Sequence, residues 1–264
     1  MNVGALIIGD EILSGRRQDR HLAQVIEQLR QRGMRLHWAQ YLGDEPERIT
    51  AALRQAFASG DLVFSFGGIG STPDDHTRGC AGAALGEPLQ LHPQARELIL
   101  QRIARLAAEQ GVTADPHSEE FQRRLDMGRF PASARIIPNP YNQIPGFACG
   151  HVHFLPGFPV MAWPMMASVL DGPYAHLHGT GALEERAVVV RGAMESTLTP
   201  LMQEIERRFS GVKVFSLPSV DDPQRGRHIE LGVKGGAREV EAAFAWMLER
   251  LPALGASFST ETGR

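Results

Sequence analysis

The chain has few of the features that mark secreted and membrane proteins. Among its 264 residues are only two cysteines, Cys80 and Cys149, which have no zinc-ligand spacing and cannot build a disulfide framework. No run of about 18 apolar residues occurs. The apolar N-terminus reaches Asp10 and Glu11 before a signal-peptide core could form. We therefore expect a cytoplasmic protein with free thiols and no membrane partner.

An excess of charge of one sign is missing as well. The chain has 27 Lys and Arg against 30 Asp and Glu, a formal charge of −3. Proteins that bind the phosphate backbone of nucleic acids usually carry a broad basic surface, so we expect no nucleic-acid partner. A hydrophobic content of 43% and a charged content of 22% are ordinary for a globular protein.

Short apolar runs alternate with amphipathic segments over the first two thirds of the chain. The run 4–8 is followed by Leu22, Val25, Ile26 and Leu29 at helical spacing, and the run 62–66 precedes a glycine-rich stretch. This alternation predicts an α/β domain over 1–175, a three-layer, mostly parallel sheet that binds ligands at the carboxyl ends of its strands. Residues 172–184 read as a linker. A small α+β domain in β-α-β-β-α order is predicted over 185–264.

The glycine stretch is the sharpest local feature. Gly67, Gly68 and Gly70 stand between a buried strand and a helix, where backbone N–H groups can approach a phosphate. The stretch lacks the Gly-Lys-Ser/Thr of a Walker loop, and Pro73 stands where the dinucleotide pattern needs a small residue. A tight turn with Asp74 or Asp75 as the helix N-cap explains the same residues without a ligand.

Acidic residues follow several predicted strands. Asp10, Glu11, Asp44 and Asp75 are expected at one edge of the sheet, where carboxylates beside an anion-binding loop would repel a phosphate. Mg²⁺ held by one or two carboxylates and the phosphate resolves this conflict. For Asp44, a capping box with Glu47 is an alternative structural explanation. Basic residues are available to a phosphate, namely Arg16, Arg17, Arg20 and Arg78.

Three motifs in order carry a family resemblance. Residues 9–15 read Gly-Asp-Glu-Ile-Leu-Ser-Gly, residues 67–77 run from the glycines to Thr77, and residues 155–159 read Leu-Pro-Gly-Phe-Pro. Together with Asn139 and the turn at 145–147 they resemble the molybdopterin-binding domain, in its competence/damage-inducible protein A (CinA) branch. The second domain is similar to the small KH-like domain of that branch. Since only thirteen residues follow Leu251, we expect no C-terminal amidohydrolase domain.

The resemblance implies a domain that binds a phosphorylated pterin or nucleotide at the glycine loop. Asp44 and Asp75 match aspartates that handle the phosphate with Mg²⁺ in related adenylyltransferases, which makes them the expected catalytic and metal-binding residues. The branch differs in having proline where Ser71 stands and an acidic residue near Val160. The ligand-binding residues that we expect are Gly9, Asp10, Glu11, Ser14, Gly67, Gly68, Gly70, Ser71, Thr72, Thr77, Pro156 and Gly157.

Two functions therefore remain open from the sequence. The CinA branch is associated with metal-dependent cleavage of pyrophosphates, so the first is hydrolysis of a phosphoanhydride of the ADP-ribose or FAD type with Mg²⁺ or another divalent metal. The second is a non-catalytic module that binds molybdopterin or a nucleotide. In either case we expect a small-molecule ligand and a homo-oligomer, with the apolar segment 161–166 as the interface.

Overall fold

The computed structural model describes residues 1–181, 183–220, 222 and 226–259. The chain divides into two compact units, Met1–Gly181 and Ala182–Arg264. Residues 172–181, expected to be a linker, belong to the first unit. There the N–H groups of Gly179 and Gly181 donate to the carbonyl oxygens of Arg32 and Gly33, at 2.9 and 3.0 Å.

The first unit is built on a six-stranded sheet. Its six strands are β1 (Val3–Ile8), β2 (Trp38–Leu42), β3 (Leu62–Phe66), β6 (Arg135–Ile137), β7 (Gly146–Cys149) and β8 (Val152–Leu155). Two further strands, β4 (Leu89–Leu91) and β5 (Arg129–Pro131), form a separate pair. The order in the large sheet is β2-β1-β3-β8-β7-β6. β2, β1, β3 and β8 are mutually parallel, whereas β7 and β6 are antiparallel to their neighbours.

Helices cover both faces of this sheet. They are α1 (Asp10–Leu13), α2 (His21–Gln31), α3 (Pro46–Ser59), α4 (Thr77–Leu85), α5 (Pro93–Gln110), α6 (Glu119–Asp126) and α7 (Pro159–Asp171). Alternate residues of β1 enter two cores: Ala5 and Ile7 pack with α2 and α7, and Leu6 and Ile8 pack with α3 and α4. The predicted three-layer α/β architecture is confirmed.

The parallel register brings four loops to one edge of the sheet. Ile8 pairs with Leu42, and Phe66 pairs with Ile7 and Leu155, so β1, β2, β3 and β8 end at the same level. The segments that follow these strands therefore meet above the carboxyl edge, where open parallel sheets bind their ligands.

The apolar segment 161–166 lies mostly inside the unit. Ala162, Met165 and Met166 are fully buried in the core between the sheet and α7. Helical periodicity turns these three side chains toward the sheet, so only Met161, Trp163 and Pro164 of the segment are left to contribute to the expected interface. The exposed apolar side chains nearby are Phe158 and Val160.

The second unit is a small α+β fold. Its elements are β9 (Glu184–Arg191), α8 (Glu195–Arg208), β10 (Lys213–Ser219), β11 (His228–Gly235), α9 (Ala237–Arg250) and β12 (Ser257–Ser259). The antiparallel sheet has the order β10-β11-β9-β12. This β-α-β-β-α-β order is the split βαβ arrangement. It contains the predicted elements and adds β12, and it gives no support to the KH-like part of the prediction.

Among the described residues, no helix combines the length and apolar character needed to span a bilayer.

Gly67, directly after β3, is a position where the backbone requires glycine. Its φ is +99°, and a Cβ there would stand 2.2 Å from the carbonyl oxygen of Ile8. Because that oxygen belongs to a buried central strand, it cannot move aside. We expect Gly67→Ala to lower the free energy of unfolding by roughly 2–4 kcal/mol, measured by urea denaturation.

Gly79 in α4 is the matched control. A Cβ at Gly79 meets no atom within 4 Å, and alanine favours the helix. Gly79→Ala should leave stability unchanged or raise it. Equal destabilisation by the two substitutions would contradict the steric explanation.

Candidate functional site

A cavity of about 620 Å³ opens at the carboxyl edge of the sheet. Loops after β1, β2, β3 and β8 line it. It brings together eleven of the predicted site residues: Gly9, Glu11, Asp44, Gly67, Gly68, Gly70, Ser71, Thr72, Asp75, Pro156 and Gly157. Three others lie outside the lining: Asp10, Ser14 and Thr77.

Thr77 supports the glycine loop from behind. Its buried hydroxyl donates to the Gly67 carbonyl oxygen at 3.1 Å, and its N–H donates to the Gly68 carbonyl oxygen at 2.9 Å. Gly68 must be glycine for this contact, because a Cβ would stand 2.1 Å from the Thr77 hydroxyl. The structure thus places Thr77 in a supporting position and not at the cavity surface.

Asp75 holds the same loop from its other end. Its carboxylate accepts the N–H of Gly70 at 2.7 Å, the N–H of Thr72 at 2.8 Å and the Thr72 hydroxyl at 2.6 Å. The interpretation of Asp74 or Asp75 as the N-cap of α4 was wrong: His76 occupies that position, and no side chain caps the helix. The Asp75 carboxylate binds the loop amides of Gly70 and Thr72 instead of the first N–H groups of α4.

The loop amides fall into two sets. Those of Gly67, Gly70 and Thr72 donate within the fold, to the Leu155 carbonyl and to Asp75. Those of Gly68, Ile69 and Ser71 donate to no acceptor among the described residues. In a trans peptide the N–H points opposite to the preceding C=O. Because Thr77 holds the carbonyls of Gly67 and Gly68, it turns the amides of Gly68 and Ile69 away from itself, toward the cavity side of the loop.

Asp44 is held in place by Asp10, the first residue of α1. The N–H of Asp10 donates to Asp44 Oδ2 at 2.8 Å, and the N–H of Asp44 donates to Asp10 Oδ1 at 3.1 Å. The capping-box explanation for Asp44 was wrong: Glu45 is the N-cap of α3, and no side chain makes a capping bond there. Asp10 therefore acts on the cavity indirectly, by orienting Asp44.

The electrostatics around Asp44 are unfavourable to its charge. Burial raises the pKa of its carboxyl group, as do the negative charges of Asp10, Glu11 and Asp74, while the hydrogen bond from Asp10 lowers it. Arg17 is the one basic residue that lines the cavity. Four acidic residues line the same cavity. The lining therefore carries an excess of negative charge that a bound cation would neutralise.

A cation there cannot rely on protein ligands alone. Among the described residues, no group of three or more His, Cys, Asp or Glu side chains is arranged to hold a metal ion. Asp44 Oδ1 accepts no hydrogen bond there and is a hard oxygen ligand of the type that Mg²⁺ prefers. The oxygens of Asp75 already accept three hydrogen bonds, which leaves Asp44 as the better placed ligand.

A second, more apolar cavity of about 340 Å³ adjoins the first. The two share Ile8, Glu11, Arg17, Gly157 and Phe158. His21 lines the second cavity, stacks on Phe66 with ring centroids 4.6 Å apart, and lies 3.0 Å through Nε2 from the Gly157 carbonyl oxygen. Since that oxygen can only accept a hydrogen bond, Nε2 carries a proton. Burial lowers the pKa of His21, which favours the neutral form of the ring.

Sequence reasoning missed several lining residues. Ile8, Ile69, Asp74, Met127 and Phe158 line the cavity without having been predicted. Met127 directly follows α6, in a mostly polar segment. Ser14, which was predicted, is exposed and lies outside the lining.

Comparison with known proteins places the first unit in a family. Residues 4–176 match the family model described as "Probable molybdopterin binding domain". The structure of CinA from Thermoplasma acidophilum is similar, with a TM-score of 0.54 and 28% identity over 64% of this chain and 96% of that chain.

Two relatives illustrate the sequence similarity. A protein from Caldivirga maquilingensis is 31% identical over 90% of both chains. A CinA-like protein from Anaeromyxobacter dehalogenans is 33% identical over 61% of this chain and 38% of its own length. The matched region thus spans well under half of that CinA-like relative.

The bonds of Asp75 predict a cost for removing its charge. Asparagine keeps one acceptor oxygen and turns an NH₂ group toward donors that now face the carboxylate. We expect Asp75→Asn to lower the free energy of unfolding by about 1–3 kcal/mol, measured by denaturation without ligand. Asp74→Asn, at the exposed neighbour, should cost much less. Wild-type stability of Asp75→Asn would show that the loop does not depend on these bonds.

For Asp44, we expect removal of the charge to change the stability of the fold in the opposite direction. A carboxyl group whose pKa is raised in the folded state destabilises the fold at pH values above that pKa, and this effect disappears below its ordinary value of 3.8. Asp44→Asn keeps an acceptor for Asp10 and removes the charge. Its melting temperature should therefore equal or exceed that of wild type at neutral pH, with the difference vanishing near pH 3. A lower melting temperature at neutral pH would refute this reading.

Proposed function

Because the chain belongs to the molybdopterin-binding domain family, we propose that it binds a phosphorylated pterin or nucleotide and hydrolyses a phosphoanhydride, of the ADP-ribose or FAD type, with Mg²⁺ or another divalent metal. One observation carries the proposal: the same cavity is lined by three residues whose amides have no acceptor among the described residues and by a carboxylate with a raised pKa.

The loop supplies the phosphate site. The amides of Gly68, Ile69 and Ser71 offer three donors to phosphate oxygens at the end of a central strand, as backbone nests do in other anion sites. Thr77 and Asp75 keep these donors in place before a ligand arrives. The ring of the ligand fits the adjoining apolar cavity, where Phe66 and His21 form a stacked wall.

Asp44 is the residue expected to hold the metal. Its free oxygen, and the surplus of negative charge around it, fit a divalent cation beside a phosphate. A bound Mg²⁺ supplies charge neutralisation at the phosphoanhydride and lowers the pKa of a coordinated water. Asp75 lines the same cavity and remains the second candidate ligand, with one hydrogen bond on Oδ1 and two on Oδ2.

A non-catalytic module that binds molybdopterin or a nucleotide is the alternative. The commitment of the Asp75 carboxylate to the loop favours it, since this carboxylate is then less available to a metal. Both functions require ligand binding in the cavity. They differ in whether a phosphoanhydride bond is broken.

Turnover separates the two functions. The purified full chain is incubated with ADP-ribose, FAD or ATP and Mg²⁺, and the products are followed by chromatography. Asp44→Asn should lower the Mg²⁺-dependent rate at least ~100-fold, since each 1.4 kcal/mol of lost transition-state stabilisation is a factor of ten. Glu45→Gln, at the exposed next residue, is the control. Tight binding of these nucleotides by wild type without any product would instead establish the binding module.

A further inference from the structure

Arg78 lies behind the glycine loop and outside the lining of the cavity. Its Nη2 donates to the Gly70 carbonyl oxygen at 2.6 Å, and its Nη1 donates to the carbonyl oxygen of Asp126 at the end of α6. The guanidinium group therefore ties the loop to the helix that precedes Met127, a residue at the cavity surface.

This position is electrostatically unfavourable for a cation. Arg78 is the second residue of α4, where the helix dipole presents its positive end. No carboxylate of the described residues reaches salt-bridge distance of its nitrogens, and its Nε is buried without a hydrogen-bond partner. Burial lowers the pKa of Arg78, although Asp75 and Asp126 raise it. An anion on the far side of the loop would offset the electrostatic part of these costs.

The hydrogen bond to Gly70 also determines where a loop amide points. The carbonyl of Gly70 and the N–H of Ser71 belong to one planar trans peptide and point in opposite directions. Because Arg78 holds this carbonyl, the Ser71 N–H faces away from Arg78, on the side where Ser71 lines the cavity. A charged donor on the carbonyl further polarises the peptide and strengthens that N–H as a donor.

We propose that Arg78 is the positioning residue of the anion site: it directs the Ser71 amide at a bound phosphate and supplies half-buried positive charge behind the loop. The Gly70 residue is then held at both ends, by Asp75 through its N–H and by Arg78 through its carbonyl. This inference rests on the phosphate-binding part of the proposed function and not on hydrolysis.

Binding of inorganic pyrophosphate with MgCl₂ to the full chain tests the inference, measured by calorimetric titration. Arg78→Met removes the charge and both hydrogen bonds and should weaken binding at least ~10-fold. Arg78→Lys keeps the charge near the loop and should remain within ~3-fold of wild type. Arg54→Met, at an exposed arginine of α3, is the control and should bind as wild type does.

The Ser71 amide gives a second, spectroscopic readout. Its proton resonance should shift when pyrophosphate binds to wild type, and this shift should be reduced in Arg78→Met. If Arg78→Met does not fold, Arg78→Lys still decides, since a ~10-fold loss in that variant overturns the role of the charge. Wild-type affinity of Arg78→Met overturns the whole inference while the proposed function stands. Failure of wild type to bind pyrophosphate removes the phosphate site itself, and binding without hydrolysis of any nucleotide leaves the role of Arg78 intact.

Discussion

Parallel pairing of β1 with β2 and β3 is the constraint on which the site depends. Every residue of β1 is buried, so this strand can only occupy the centre of the sheet. Its neighbours run in the same direction and end at the same level, and β8 continues the pattern beside β3. Residues as far apart in sequence as Ile8 and Phe158 are thereby collected at one edge without any direct attraction between them.

At that edge, side chains bind carbonyl groups of the glycine loop, and this leaves the N–H groups of the following residues available to a ligand. Thr77 binds the carbonyls of Gly67 and Gly68, and Arg78 binds that of Gly70. Each of these bonds fixes the N–H of the next residue, and those N–H groups are the ones without acceptors. The principle is geometrical: in a rigid peptide plane, a hydrogen bond that fixes the carbonyl oxygen also fixes the direction of the N–H group. Glycine is required because a Cβ would collide with the Ile8 carbonyl oxygen at Gly67, with Thr77 at Gly68 and with Asp75 at Gly70.

The amino-acid sequence predicts the layers of helices and sheet in the first unit better than it predicts the hydrogen-bond partners of Asp44 and Asp75. Periodic apolar residues located α2, and the glycines located the loop, because these signals are local. The capping alternatives offered for Asp44 and Asp75 were wrong, since spacing along the chain is the same whether a carboxylate meets its own helix or a backbone amide elsewhere. Asp44 meets Asp10, 34 residues away. α6 was not predicted, because it is short and has only two apolar residues, Phe121 and Leu125, both half-buried.

Two charges of opposite sign stand in unfavourable places on either side of the loop. Asp44 is partly buried among other acids, and Arg78 is half-buried at the positive end of a helix. They do not neutralise each other, because no salt bridge joins them. A phosphate on the loop accompanied by a divalent cation would compensate both, the anion facing Arg78 and the cation facing Asp44. Neither placement favours the stability of the fold alone, which supports our proposal of a ligand that carries both signs.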